Sequence, residues 1–436
     1  MEAAQTLILV TKMMISHFNR LSFLVLLCLI SFKLSAIHLL IPMDEEGQKE
    51  HLKAYGIAYY AIERGTTVEW LLNYRGGSFM MPFDETLKLE CQIRNVSYSA
   101  ISDADAESIR NSISSPAVNQ AVVKLEKAPK IAVYSPKGKL PWDDAVTLVL
   151  TYAEIPYDVV YDKEVLDNLL PRYDWLHLHH EDFTGQYGRF YAAFKNAPWY
   201  IQQKADMEAS AAALGFSKVS ELKEAVAKKI KEFTIGGGFL FAMCSATDSY
   251  DISLASSGVD ICEPMFDGDP AEPNYNNKLD YAQTLAFKDF TLIENPNRYE
   301  FSNIDVTDNR KVKPEDDFFS LFEFSAKWDI VPTMLTQNHS QVVKGFMGQT
   351  TAFRSSLIKS DVLILGEFKP YGEARYIHGE LGEGTWTFYG GHDPEDYQHR
   401  VGDPKTELAL YPNSPGYRLI LNNILFPAAK KKNQKT

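Results

Sequence analysis

Apolar and polar positions along this chain repeat at two periods, and each switch between them marks a strand or a helix. Residues 37–42, Ile-His-Leu-Leu-Ile-Pro, read as a strand. Residues 48–64 read as a helix, with Leu52, Tyr55, Ile57, Tyr59 and Ile62 as its apolar positions and Gly65 as its stop. Residues 67–72 are a second strand, 83–93 and 96–101 continue the alternation, and Asp103 can cap a helix to residue 115. This strand–helix succession over 37–128 predicts a small parallel sheet covered on both faces. The stretch 116–129 is a candidate linker.

The pattern then starts afresh. Residues 130–134 form a strand, 142–154 a helix, 157–161 a strand and 173–180 a third strand. From Ser220 a helix carries Leu222, Val226, Ile230 and Phe233 on one face, until Gly236 stops it. Residues 239–243 form a short apolar strand fit for the middle of a buried parallel sheet. Residues 285–338 are rich in aromatic, β-branched and turn residues and read as a β-rich insertion. Strands at 362–365, 374–380 and 385–390 follow, the last two as a hairpin around Gly382-Glu383-Gly384, and a helix at 416–425 closes the domain. The expected class is therefore α/β: a doubly wound parallel sheet over 129–429, preceded by a smaller α/β module.

The first 36 residues stand apart. Residues 14–20 are a basic head, 21–32 an uncharged apolar core too short for an ordinary span, and Leu34-Ser35-Ala36 a cleavage site. This predicts export, a mature start near Ile37 and no stable membrane span afterwards; a retained anchor is the alternative. Removing residues 1–36 takes away Lys12, Arg20, Lys33 and Glu2 from 44 basic and 57 acidic residues, leaving a net charge of −15. Such a balance argues against a nucleic-acid partner. Residues 430–436 form a basic tail. Cys91, Cys244 and Cys262 remain in the mature chain; a Cys91–Cys262 bridge leaves Cys244 over as an unpaired thiol.

That thiol carries the chemistry. Cys244 ends the apolar strand between the small residues Ala242 and Ala246, where a sharp strand-to-helix turn would lift it above the sheet beside a helix N-terminus. A nucleophilic thiol needs a base, and the base needs an orienting acceptor. The late segment Phe388-Tyr389-Gly390-Gly391-His392-Asp393-Pro394-Glu395 offers His392 as base, with Glu395 or Asp393 as orienter. A third cluster, His177-Leu178-His179-His180-Glu181-Asp182, ends another strand. His180, Glu181, Asp182, Ser245 and Asp393 are candidate substrate-binding residues. The leading reading needs no cofactor, yet His179, His180 and His392 could ligate a divalent metal. Gly185-Gln186-Tyr187-Gly188 could give N–H groups to an oxyanion, and residues 345–351 could border the pocket.

These residues resemble a known pattern. Glycines before an apolar strand, a cysteine elbow and a late Phe-Tyr-Gly-Gly-His are similar to the class I glutamine amidotransferase-like superfamily, including its trehalose-utilisation-like proteins. In the amidotransferases the turn is Gly-x-Cys-x-Gly and the partners are His-Pro-Glu. Here the turn is Ala242-Met243-Cys244-Ser245-Ala246, and Asp393 is inserted between His392 and Pro394. The resemblance implies a flavodoxin-like fold and cysteine chemistry on a small-molecule or amide-containing substrate. Over nearly its full length the chain is also similar to exported bacterial proteins named asparagine synthetase B, although it lacks their namesake's Ser-Gly-Gly-x-Asp-Ser ATP loop. The functional expectation is an exported Cys–His amide or acyl hydrolase or transferase. The alternatives are a non-catalytic ligand-binding module and a metal-dependent hydrolase built on His179, His180 and His392.

Overall fold

A computed structural model describes residues 37–429, apart from 137 and 139–141. The expected leader and basic tail lie outside the described residues. Among the described residues no helix is long and apolar enough to cross a membrane.

Strands β1 (Ile37–Ile41), β2 (Val68–Leu72), β3 (Ser78–Pro82), β4 (Ser99–Ser102) and β5 (Ala121–Leu125) form one sheet in the order β4-β1-β3-β2-β5. Every neighbouring pair is antiparallel, which corrects the expected parallel sheet. The cause is the reversal at 73–77, where Asn73, Arg75, Gly76 and Gly77 all have positive φ and fold β3 back along β2. The candidate linker also holds an element, the edge strand β5. Helices α1 (His51–Glu63), α2 (Glu85–Ile93) and α3 (Asp103–Ser114) complete the module. Period-two alternation sends Leu39, Ile41, Trp70 and Phe79 to the core shared with α1. Leu40, Leu71 and Met80 face Ala106 and Ile113 of α3. Asp84 caps α2, and Ser102 with Asp105 forms a capping box for α3, one residue earlier than the expected cap.

The second sheet contains β6 (Ile131–Tyr134), β7 (Asp158–Val160), β8 (Trp175–Leu178), β9 (Phe239–Met243), β10 (Phe318–Leu321), β11 (Val342–Lys344), β12 (Phe353–Arg354), β13 (Leu363–Phe368), β14 (Glu373–Leu381) and β15 (Gly384–Tyr389). Its order is β11-β10-β13-β14-β15-β9-β8-β6-β7, with β12 on β14. From β15 to β7 all pairs are parallel; from β15 to β11 they are antiparallel. The sheet is thus mixed rather than wholly parallel.

Both faces of the parallel half are covered by helices. Val146 and Val149 of α4 (Ala145–Tyr152) pack with Val133, Trp175 and Phe241. After α5 (Pro198–Ala213), helices α6 (Val219–Ile235) and α7 (Ala246–Ala255) cover the other face, where Leu222, Val226 and Tyr250 meet Leu176, Leu240 and Ala242. The last helix, α8 (Pro415–Leu425), inserts Leu419, Ile420 and Ile424 into the core that runs on to α1.

The expected β-rich insertion is mostly irregular. Within 285–338 the described strand is β10, which joins the main sheet. The aromatic residues there serve the core instead of a ladder: Phe287, Phe290 and Phe301 are buried. Asp251 satisfies the backbone they leave unpaired, accepting N–H bonds from Leu285, Ala286 and Phe287 at 2.7–2.9 Å.

The two sheets meet at α1 and α8. The buried Arg418 donates to Tyr55 Oη at 3.1 Å and to the carbonyls of Met43 (3.2 Å) and Gly76. Beside it, His51 and His339 stack at 4.3 Å with 11° between their rings. Cys91 and Cys262 are buried free thiols, so the considered bridge is absent.

Candidate active site

Parallel register assembles the site. Leu178 of β8 pairs with Ala242 of β9, and Tyr389 of β15 pairs with Met243, so the three chains leave the sheet at one level. His179-His180, Cys244 and His392 follow within three residues of those pairs. Ala246 N–H donates to His179 O at 2.9 Å, fastening the elbow to the end of β8. Cys244 itself has φ +53°, a left-handed value that a side-chain-bearing residue holds only under surrounding constraint. Thr247 supplies part of that constraint: its N–H (3.1 Å) and its hydroxyl (2.6 Å) both donate to Cys244 O.

The glycines before His392 are sterically required. A side chain at Gly390 would strike Thr351 O, and Gly391 has φ +99° with Phe346 in the way. Residues 346–350 then clamp the loop: His392 N–H donates to Met347 O at 2.9 Å and Gly391 N–H to Thr350 O at 2.8 Å.

The nitrogen or sulfur atoms of His179, His180, Cys244 and His392 lie within 4.8 Å of one another. His179 and His180 stack at 3.8 Å, and His392 lies 5.0 and 4.6 Å from them, centre to centre. His392 Nε2 is 3.6 Å from Asp143 Oδ1, and His399 Nε2 is 3.2 Å from the same oxygen. His180 Nε2 bonds Asp143 O at 2.6 Å, and Asp144 Oδ2 meets both His177 Nε2 (3.1 Å) and His179 Nδ1 (3.2 Å).

These partners separate the imidazoles. Burial opposes charge on His392, but Asp143 and the hydrogen bond to Cys244 outweigh it and push its pKa up to about 10. Burial drives His179 down to about 4 against the pull of Asp144. Burial, then His179 and His392, hold His180 well below its usual value. Burial disfavours charge on Asp143 as well, yet His392 and His399 hold its carboxyl below the usual range. At neutral pH one imidazolium, His392, thus sits between the Cys244 sulfur and a carboxylate, with two neutral imidazoles beside it.

The other expected residues divide. Ser245 is buried at the elbow, next to the thiol. Glu395 does not reach His392 as orienter: its carboxyl is held by Ser414, and its N–H donates to Asp393 Oδ1 at 2.9 Å. Asp393 thereby shapes the loop. Glu181 turns away to a buried cluster with Tyr161 (3.3 Å) and Lys223 (3.8 Å); burial raises it to about 7 although Lys223 opposes this. Asp182 accepts from Thr184 N and Gly188 N at 2.7 and 2.9 Å and organises the 184–188 loop. Gly188 and Gln186 N–H groups are thus committed inside that loop, the latter to Thr184 Oγ1, and neither serves an oxyanion.

Asp143 and Asp144 were missed. The available signal was a pair of aspartates at the start of α4, closing the loop after the first strand of a parallel sheet, where loops converge on the site. The segment also brings Trp142, whose ring lies 5.6 Å from His180, 5.4 Å from Phe190 and 5.3 Å from Trp199, an aromatic wall at the site.

No family model and no curated protein matches the chain. Among solved structures it is similar to the cytoplasmic protein STM3548 from Salmonella typhimurium, at TM-score 0.34 and 13% identity over 69% of this chain and 100% of that one. The cytoplasmic protein STM1381 from Salmonella typhimurium LT2 gives the same values. Gan42B, a GH42 β-galactosidase, follows at TM-score 0.28 and 13% identity, over 61% of this chain and 28% of that one.

Proposed function

We propose that this protein is an exported amide or acyl hydrolase or transferase that uses Cys244 as nucleophile, His392 as acid–base and Asp143 as orienter. The observation that carries the reading is the left-handed φ of +53° at Cys244, at a strand–helix elbow whose thiol bonds His392. Strain at a non-glycine residue persists where surrounding contacts enforce it, and such positions cluster at reacting groups. The parallel strand order β7-β6-β8-β9-β15 supports a flavodoxin-like doubly wound half, in which ligands bind beyond the carboxyl ends of the strands.

In the proposed reaction the Cys244 thiolate attacks a carbonyl carbon. The Ser245 N–H, at the first turn of α7, faces the developing oxyanion. His392 gives its proton to the leaving amine or alcohol as the carbon–heteroatom bond breaks, leaving a thioester. Water, or an acceptor in a transferase, then attacks the thioester; His392 takes the attacking proton and the thiolate departs. Asp143 holds the imidazole and favours its charged form.

The test is intact-mass measurement after brief exposure to activated esters. The expected result is a single acyl adduct on Cys244, lost with time at neutral pH and not formed by Cys244→Ser. Adducts confined to lysines, or no adduct, would overturn the reading.

A further inference from the structure

We propose that His179, His180, Cys244 and His392 also bind one Zn2+-class cation, which caps the thiol and gives the site a silent, metal-bound form. This deepens the function proposed above and rests on it only where capping is said to silence the nucleophile. Three imidazoles and a thiolate are a borderline-soft donor set, and N/S tetrahedra are the habit of zinc. Donor–donor separations in such a tetrahedron are roughly 3.3–3.8 Å. The four donors here lie within 4.8 Å of one another, so a small inward rotation of side chains closes the shell.

The groups behind the donors point the same way. A metal-bound imidazole usually gives its second nitrogen to an oxygen acceptor. Here an oxygen lies opposite the outer nitrogen of each, in hydrogen-bond geometry for His180 alone. His179 Nδ1 faces Asp144 Oδ2 at 3.2 Å, His180 Nε2 faces Asp143 O at 2.6 Å, and His392 Nε2 faces Asp143 Oδ1 at 3.6 Å. The inward nitrogen of His179 is then Nε2, on a side chain only 2% exposed, and neither ring nitrogen of His179 has a hydrogen-bond partner. A buried nitrogen without a partner is rare and calls for an explanation. A cation at the centre of the cluster supplies one.

The donor count decides the role. Three protein ligands leave a coordination position for water and support hydrolysis; four close the shell. With Cys244 as fourth ligand, the ion has no position left for water and the sulfur lone pair is engaged. Because thiol and imidazole must be deprotonated to ligate, uptake releases protons to solvent.

The test uses the full mature protein, stripped with chelator and then exchanged into chelator-free buffer. Co2+ should bind at one equivalent and give a thiolate-to-cobalt charge-transfer band, absent in Cys244→Ser and weakened or lost in His179→Gln. One equivalent of Zn2+ should slow alkylation of Cys244 by at least about tenfold, reversibly on adding chelator. Cys91 and Cys262 do not confuse the readout, since burial pushes the first up to about 12 and the second well above its ordinary value. Fast alkylation that ignores Zn2+, with no charge-transfer band, would overturn the metal site and leave the nucleophile standing. A full charge-transfer band on a thiol that alkylates slowly even when metal-free would support the metal site and overturn the nucleophile.

Discussion

Two buried ionic clusters sit on the same sheet and differ in how tightly their charges are paired. In the antiparallel half, Asp317 receives a two-point bond from Arg310 (2.7 and 2.9 Å) and both its oxygens lie 2.9 Å from Arg375 Nη2. Glu373 accepts from Arg310 at 2.9 Å, and Arg375 Nη1 reaches the carbonyls of Phe346 and Thr351. Two cations meet two anions at 2.7–2.9 Å. In the parallel half, the cluster around Cys244 has a left-handed backbone, an imidazole nitrogen without a partner and an ion pair stretched to 3.6 Å. The first cluster is arranged to stay as it is. The second is held less tightly. Burial distinguishes neither, and each keeps a buried nitrogen without a partner, Arg375 Nε in the first; the left-handed backbone and the longer ion pair set the second apart.

The contrast is broken most directly at the thiol. Cys244→Ser should cut turnover of an amide or ester substrate by about 10^3-fold or more, with stability changed by only about 1 kcal/mol. Substrate assays paired with chemical denaturation check both halves. Asp317→Ala should do the reverse. It leaves the fully buried Arg375 without its counter-charge and should cost about 3–5 kcal/mol, while thiol alkylation in the folded fraction keeps its rate. If Asp317→Ala silenced the thiol without destabilising the fold, the division between the clusters would fail.

A third experiment concerns the seam between the sheets. Burial, and then the Arg418 charge, hold His51 down to about 4, whereas an unfolded histidine titrates near about 6.5. On acidification the unfolded chain therefore binds the proton first. This contribution to stability is whole above about pH 6.5 and drains away toward about pH 4, by about 3 kcal/mol in all. Denaturation midpoints of the parent protein and of His51→Gln should diverge over that interval; parallel curves would count against the assignment.

The smallest effect sharpens the site itself. Asp143→Asn keeps the shape but removes the charge beside His392, and should slow turnover about 10- to 100-fold. Glu395→Gln should change it by no more than about threefold, because its carboxyl is spent on Ser414. Equal losses from both would restore Glu395 as orienter.

The strand ends were legible because their signals are local. The run before Cys244 and the Gly390-Gly391 pair before His392 each announce a strand and the residue it delivers, and short runs rich in apolar residues found most strands of the parallel half. What the sequence did not disclose was long-range choice. Asp143 and Glu395 are equally good acceptors on paper, and only the register of β8, β9 and β15 brings the loop after β6 to His392. The antiparallel first sheet was misjudged for a local reason: Gly76-Gly77 was a hairpin signal, but Ser-Phe-Met-Met-Pro lacks the β-branched residues that mark a strand. Residues 285–338 were misjudged because aromatic content reports burial, while strand formation needs partners, and there Asp251 takes the place of a neighbouring strand.

The position of β15 has a consequence for how the molecule comes into being. It is the last strand in chain order, yet it lies between β9 and β14, joining the parallel half to the antiparallel half. The ribosome therefore releases most of the protein before the two halves can be joined. Contacts between chain segments so far apart form slowly, and until they form the flanks of β9 and β14 are open edges. A nascent chain of this topology keeps those edges unpaired until its last strand is in place.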